Sequence, residues 1–194
     1  RQTNELSRIV DEFSQFARMP KPDCRPTNFS QFLRETILLQ ESGQPDVKFT
    51  LDLPKEAIWI DADASMIGRA VTNLLKNAGE SIDDRKAYQP DHEGEIRITA
   101  AQTDRSVVVE ISDNGAGLPE DRARLLEPYV TNRVSGTGLG LSIVVKTIEE
   151  HGGTFALTDA ETFDATARTG AKAVIKLPRL SDSAAQKVDL GIPA

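Results

Sequence analysis

One cysteine, Cys24, stands in 194 residues. A lone thiol excludes an intramolecular disulfide framework and offers no zinc-ligand spacing, which fits a reducing compartment and makes Cys24 an incidental loop residue. Runs of lysine or arginine are also missing. With 23 basic and 30 acidic residues the formal net charge is -7, so the chain lacks the electrostatic footprint for nucleic acid or an acidic membrane surface. No stretch approaches the roughly 18 consecutive apolar residues that span a bilayer. No charged-then-apolar leader opens the chain. A soluble, cytoplasmic domain is the expectation. The chain opens at Arg1 without a methionine, as a fragment would, and its parent then carries further segments, an inner-membrane anchor being compatible with this. There are no internal repeats. A hydrophobic content of 39% is enough for a real core in one domain of ordinary size.

Leu6, Ile9, Val10, Phe13, Phe16 and Ala17 recur at helical spacing, so residues 3 to 18 read as an amphipathic helix with one apolar stripe. Pro20, Pro22 and Pro26 remove amide donors and end it, which places a linker there and a domain boundary near residue 22. A helix is expected over 29 to 41, capped by Asn28 and stopped by Gly43. Alternation of Val47, Phe49, Leu51 and Leu53 predicts a half-buried strand, followed by a short one near Ile58 to Ile60. From an Asp63 cap, Met66, Ile67, Ala70, Val71, Leu74, Leu75, Ala78 and Ile82 give a helix of about five turns. Asn73, Asn77 and Glu80 lie on its other flank. Residues 84 to 94 read as a loop, Ile96–Ile98 and Val107–Ile111 as a hairpin through 102 to 105, and 119 to 126 as a short helical stretch. A helix from about Gly138 to His151 should end on Gly152-Gly153 as left-handed caps do. Two strands near 153 to 158 and 171 to 178 follow, and 181 to 194 read as a loose tail. Helices and strands alternate irregularly, which favours an α+β two-layer sandwich over a doubly wound sheet.

Three clusters carry chemistry. Asn77 sits on a helix whose opposite face is core, so its amide oxygen offers a hard ligand to Mg²⁺, and Asn73 one turn earlier would support it. Alone, such a pair is an ordinary solvated flank. Asp113 ends an apolar strand, where its carboxylate can accept from an adenine amino group, while Gly115 and Gly117 allow the backbone to turn and approach the base. Alone, Asp113-Asn114-Gly115 is a turn sequence. In Gly136-Thr137-Gly138-Leu139-Gly140-Leu141 glycines precede an apolar helix, so backbone amides and the positive helix end can receive phosphate oxygens. A dinucleotide-binding fingerprint is excluded by the Gly-x-Gly-x-Gly spacing and the absence of a βαβ unit. A P-loop is excluded because no Gly-Lys pair exists in the chain.

Asn73-Leu-Leu-Lys-Asn77-Ala, Asp113-Asn-Gly-Ala-Gly117 and Gly136-Thr-Gly-Leu-Gly-Leu141 resemble the N, G1 and G2 boxes of the GHKL ATPase superfamily, and among its members those of bacterial sensor histidine kinases. Glu127-Pro-Tyr-Val-Thr-Asn-Arg133 stands where these kinases carry an F box, and His151-Gly152-Gly153 follows the last helix. Phe13-Ser-Gln-Phe-Ala-Arg-Met-Pro20-Lys-Pro22 is similar to the end of the second dimerisation helix in nitrogen-regulation kinases of the NtrY type. The resemblance covers roughly 29 to 180. It implies a Bergerat fold, a mixed sheet covered by helices, with residues 1–22 as the end of a dimerisation helix, 23–180 as the catalytic domain and 181–194 as tail. It further implies ATP and Mg²⁺ as ligands, Asn77 holding the metal with Asn73 beside it as the catalytic pair, and Asp113 reading adenine. Gly115, Gly117, Leu118, Gly136, Thr137, Gly138, Leu139, Gly140 and Leu141 would line the nucleotide, with Thr131 and Arg133 reaching it from a lid over 118 to 137. The implied partners are a dimerisation helix carrying the phosphoacceptor histidine, a response regulator receiver domain, and a second copy of the parent.

Two departures accompany the resemblance. Glu80 stands where many sensor kinases have a basic residue, which leaves phosphate neutralisation to Lys76, Arg133 or the ion. The last-strand pattern, commonly Gly-Thr-x-Phe, reads Gly170-Ala-Lys-Ala173. Neither histidine has a phosphoacceptor setting: His92 is expected exposed in a loop, and His151 at a helix end as a cation welcomed by the dipole. ATP hydrolysis of the gyrase or chaperone type would need a glutamate where Asn73 stands. A nonenzymatic module in which nucleotide merely gates an interaction surface is the alternative.

Overall fold

The computed structural model describes residues 20–130, 138–163, 169–181 and 185. Its centre is a five-stranded sheet in the order β2-β4-β5-β7-β6. The strands are β2 (Val47–Asp52), β4 (Gly94–Gln102), β5 (Ser106–Asp113), β6 (Thr154–Asp159) and β7 (Ala171–Pro178). β2 runs parallel to β4 and the other pairings are antiparallel, so the sheet is mixed. One face presents Ile96, Ile98, Val107, Val109, Ile111, Ala173, Ile175 and Leu177, all buried. Against it lie α1 (Phe29–Gly43), α2 (Ala64–Lys86) and α3 (Gly140–Glu150). Their apolar stripes join the sheet in one continuous core. Each large aliphatic side chain buried there stabilises the domain by about 1.5–3 kcal/mol. The opposite face alternates polar residues, among them Glu110 paired with Lys172 at 3.7 Å. This is the expected α+β two-layer sandwich.

Residues expected as linker contribute a strand instead. β1 (Arg25–Asn28) pairs antiparallel with β3 (Trp59–Ala62) in a small second sheet. Pro26 is tolerated because a strand in a two-stranded sheet has an outer edge where a missing N–H breaks no ladder bond. The amphipathic stretch of residues 3 to 18 and most of the 181 to 194 tail lie outside the described residues.

Both expected helix caps form. Asn28 Oδ1 accepts from Gln31 N–H at 3.1 Å, and Asp63 Oδ1 accepts from Ser65 N–H at 3.0 Å and Met66 N–H at 3.1 Å. α2 then runs to Lys86, through residues 84 to 86 that composition assigns to a loop. The reason is Arg85, only 4% exposed, whose Nη1 donates to the Asn114 carbonyl at 2.7 Å and so anchors another helical turn. α3 ends as expected, with Gly152 at φ +70°.

The histidines correct two expectations. His92 is buried rather than exposed; a turn closed by its own N–H on the Gln89 carbonyl, 3.0 Å, brings it inward. His151 is buried as well. Its Nε2 accepts from Asp63 N–H at 3.0 Å, so the proton resides on Nδ1, 2.7 Å from the Thr147 carbonyl, and the ring is neutral rather than a dipole-stabilised cation. It links the end of α3 to the start of α2.

Two carboxylates are held below their usual range. For Asp63 the chief cause is the Ser65 hydroxyl, followed by amides of Met66, Asp23 and Ser65; for Glu95 it is the Arg97 guanidinium, followed by Thr50. A depressed carboxylate stabilises the fold fully above its unfolded pKa, and that contribution is lost as pH falls below it through the lower folded-state pKa. Asp63→Asn keeps a competent cap but cannot titrate. Its thermal midpoint is therefore expected to fall less than that of the unsubstituted chain between pH 7 and pH 3, as read by circular dichroism. An equal fall would show that the Asp63 carboxylate contributes nothing to acid sensitivity.

Candidate functional site

β5 delivers Asp113 to the end of the sheet, opposite Ile96 of β4 and beside the start of β7. The residue is 4% exposed. Its Oδ1 accepts from the Ser81 hydroxyl at 3.1 Å, from Gly115 N–H at 2.8 Å and from Ala171 N–H at 3.4 Å. Three elements therefore orient one carboxylate: α2, the turn after β5, and β7. The strand before this turn does pair with a later one, but with β7, Ser112 opposite Lys172, and not through Asn114-Gly115. The turn is thus not a hairpin.

Asn114 fastens the turn rather than facing a ligand. Its Oδ1 accepts from Glu95 N–H at 2.8 Å and its Nδ2 donates to the Glu93 carbonyl at 2.8 Å. Ala116 N–H reaches both the Ser81 carbonyl at 2.9 Å and its hydroxyl at 3.1 Å. Gly115 passes so close to α2 that a Cβ there would lie 2.6 Å from the Ser81 carbonyl oxygen. Gly117, at φ +82°, passes so close to the chain leading into β7 that a Cβ there would lie 2.6 Å from the Thr169 carbonyl oxygen, and Leu118 is half-buried.

Asn73 and Asn77 are half-buried on the flank of α2 one turn apart, and Ser81 follows Asn77 by another turn on the same face. α2 thus carries an amide oxygen donor and the Asp113 contact on one stripe. Lys76 is exposed and pairs with Glu80 at 3.8 Å, an i,i+4 interaction of the helix surface.

Gly138 and Leu139 lead into α3, whose first residues are Gly140 and Leu141. Leu139 occupies the cap position, and its aliphatic side chain cannot accept from the first-turn amides. Gly138 has φ +69°, and a Cβ would lie 2.6 Å from the Tyr129 carbonyl carbon, so glycine is required on both counts. Tyr129 N–H donates to the Gly138 carbonyl at 3.0 Å. Tyr129, itself at φ +67°, is thus tied to the residue just before the α3 cap. Thr131, Arg133, Gly136 and Thr137 lie outside the described residues. A shallow depression of about 310 Å³ between Arg105, Gly153 and Lys176 sits at the other end of β5 and holds none of these residues.

Ser81 and Arg85, which frame Asp113, belong to none of the three sequence clusters. Their signal was available: Asn77, Ser81 and Arg85 stand at i, i+4 and i+8, so the polar stripe of α2 continues past Asn77 at its own spacing.

Residues 62–181 match the family described as histidine kinase-, DNA gyrase B-, and HSP90-like ATPase. The nitrogen regulation protein NtrY of Azorhizobium caulinodans is 48% identical over 163 residues, covering 82% of this chain and 21% of NtrY. The chain therefore spans about a fifth of that relative. The solved catalytic domain of histidine kinase ThkA, nucleotide-free, superposes with a TM-score of 0.66 at 25% identity, covering 81% of this chain and 96% of that one. ThkA in complex with the response regulator protein TrrA gives a TM-score of 0.70 at 26% identity, covering 92% and 49%. The chain belongs to the histidine kinase-, DNA gyrase B- and HSP90-like ATPase family.

Proposed function

We propose that the chain is the ATP-binding catalytic domain of a two-component sensor histidine kinase, donating the γ-phosphoryl of ATP to a histidine on a dimerisation helix outside it. The observation that carries this reading is the buried Asp113 carboxylate, oriented by three donors at the end of the sheet beside the helix that bears Asn77. A fixed carboxylate there accepts from the adenine amino group. The glycine-led start of α3, Gly138 to Leu141, lends amides and the helix dipole to the phosphates. Gly115, Gly117 and Leu118 let the chain pass under the base, and Thr131, Arg133, Gly136 and Thr137 belong to the lid that closes over the phosphates.

Asn77 fits Mg²⁺ in donor type: it offers a neutral hard oxygen from a rigid helix, and the described residues contain no group of three acidic, histidine or cysteine side chains that would form a protein-only cage. Bound there, the ion neutralises charge on the transferring phosphoryl. Asn73 orients the same flank. Neither histidine competes as acceptor, since His92 and His151 are both buried and the His151 ring is engaged at both nitrogens. Because ThkA forms a complex with a response regulator, a receiver domain is the proposed destination of the phosphoryl group. Residues 1–22 then belong to the dimerisation helix of a homodimeric parent, and residues 23–180 form the catalytic unit on the cytoplasmic side of an inner membrane. Among the described residues no helix is long and apolar enough to cross a membrane.

Incubating the chain with γ-labelled ATP, Mg²⁺ and a separate helical hairpin carrying the acceptor histidine should place label on that histidine and none on the chain. Tight nucleotide binding without transfer would favour the nonenzymatic gating module. Asn77→Ala is expected to lower ATP affinity about tenfold in Mg²⁺ and less than about twofold in EDTA, by calorimetry. Equal losses in both buffers would remove the metal role.

A further inference from the structure

We infer that Ser81 is a positioning residue that sets the adenine-reading carboxylate from α2, so that nucleotide-base selectivity depends on a hydroxyl one turn beyond the metal-binding asparagine. This rests on the adenine-reading role proposed for Asp113. Ser81 is 8% exposed, and its hydroxyl donates to Asp113 Oδ1 at 3.1 Å while its oxygen lies 3.1 Å from Ala116 N–H. The hydroxyl therefore bridges the carboxylate and the backbone just after it. β7 approaches the same oxygen with a backbone amide, Ala171 N–H, at the longer distance of 3.4 Å. The Ser81 carbonyl also accepts from Ala116, and Arg85, one turn on, holds the Asn114 carbonyl at 2.7 Å.

The consequence is directional. Donors from Ser81 and Gly115 converge on Oδ1 and fix the rotation of the carboxylate, which determines where its other oxygen points. A carboxylate free to rotate still binds a base, but it loses the defined angle at which an exocyclic amino group is distinguished from its absence. Because Asn77 and Ser81 are rigidly spaced on one helix, the metal ligand and the base reader are held at a fixed separation.

The test compares ATP with purine riboside triphosphate, which lacks the 6-amino group, on the full chain by calorimetry. Ser81→Ala is expected to weaken ATP about tenfold and the analogue less than about twofold, because only ATP uses the oriented oxygen. In an Asp113→Asn background the same substitution is expected to change ATP affinity less than about twofold, since the interaction it supports is already gone. Ser81→Cys, which keeps the volume and a weak donor, should fall between, and carries the test if Ser81→Ala does not fold. Parallel losses for both nucleotides in Ser81→Ala or Ser81→Cys would make Ser81 merely structural and overturn the inference. If the unsubstituted chain prefers ATP to the analogue and Ser81→Ala keeps that preference, Ser81 alone is overturned. If the unsubstituted chain binds the two equally, the adenine role of Asp113 fails, and this inference with it.

Discussion

Asp113→Asn is expected to weaken ATP binding about 100-fold, the scale of one lost charge-assisted hydrogen bond together with a mispaired donor. The substituted side chain can still present an oxygen to Ser81, Gly115 and Ala171, which now occupy Oδ1. In the proposed adenine contact the other position becomes an NH₂ group that meets the adenine amino group donor to donor. The thermal midpoint should therefore move by only a few degrees. Asp113→Ala is the less informative change. It strands three donors, of which the two buried ones, from Ser81 and Gly115, cost about 1–3 kcal/mol each when left unpaired, so its loss of binding would be mixed with loss of structure. Undiminished ATP affinity in Asp113→Asn would remove the adenine contact from the account.

Gly170→Ala should be strongly destabilising. A Cβ at this position would overlap the Asp113 carbonyl oxygen and lie 3.0 Å from the Asn114 Cα. The obstacle is backbone, fixed by the β5–β7 register and by the Ala160 N–H to Gly170 carbonyl bond at 2.9 Å, so no side chain can swing aside. Overpacking of this kind costs about 3 kcal/mol. For a domain of this size that is about 10 °C in thermal midpoint. Because β7 must retreat from β5 where Asp113 leaves the sheet, nucleotide affinity should fall too. A midpoint within about 2 °C of the unsubstituted chain would mean that the approach of the strands is looser than the structure shows.

The layers, the mixed order of elements and the ends of α1 and α2 at Asn28 and Asp63 were legible because each rests on local chemistry: apolar period, cap side chain and stop residue. Asp113 and the α3 start were legible for the same reason, since a strand end and a glycine-led helix are local patterns. What escaped was set by contacts distant in sequence. β1 exists because β3 lies beside it, which Pro20, Pro22 and Pro26 conceal. α2 continues past Ile82 because Arg85 finds the carbonyl of Asn114, 29 residues on. His151 looked like a charged helix end, yet it is neutral because it accepts from Asp63, 88 residues earlier. Ser81 is the instructive case: it has the right spacing from Asn77, but nothing local marks a serine as the partner of a carboxylate 32 residues away.

The most direct measurement is calorimetric titration of the purified chain with a nonhydrolysable ATP analogue, with and without Mg²⁺. Saturable one-site binding that tightens when the ion is present is the expected result, as a site combining Asp113, Asn77 and the α3 amides requires. No binding in either condition would contradict it, leaving a family fold whose nucleotide pocket no longer works.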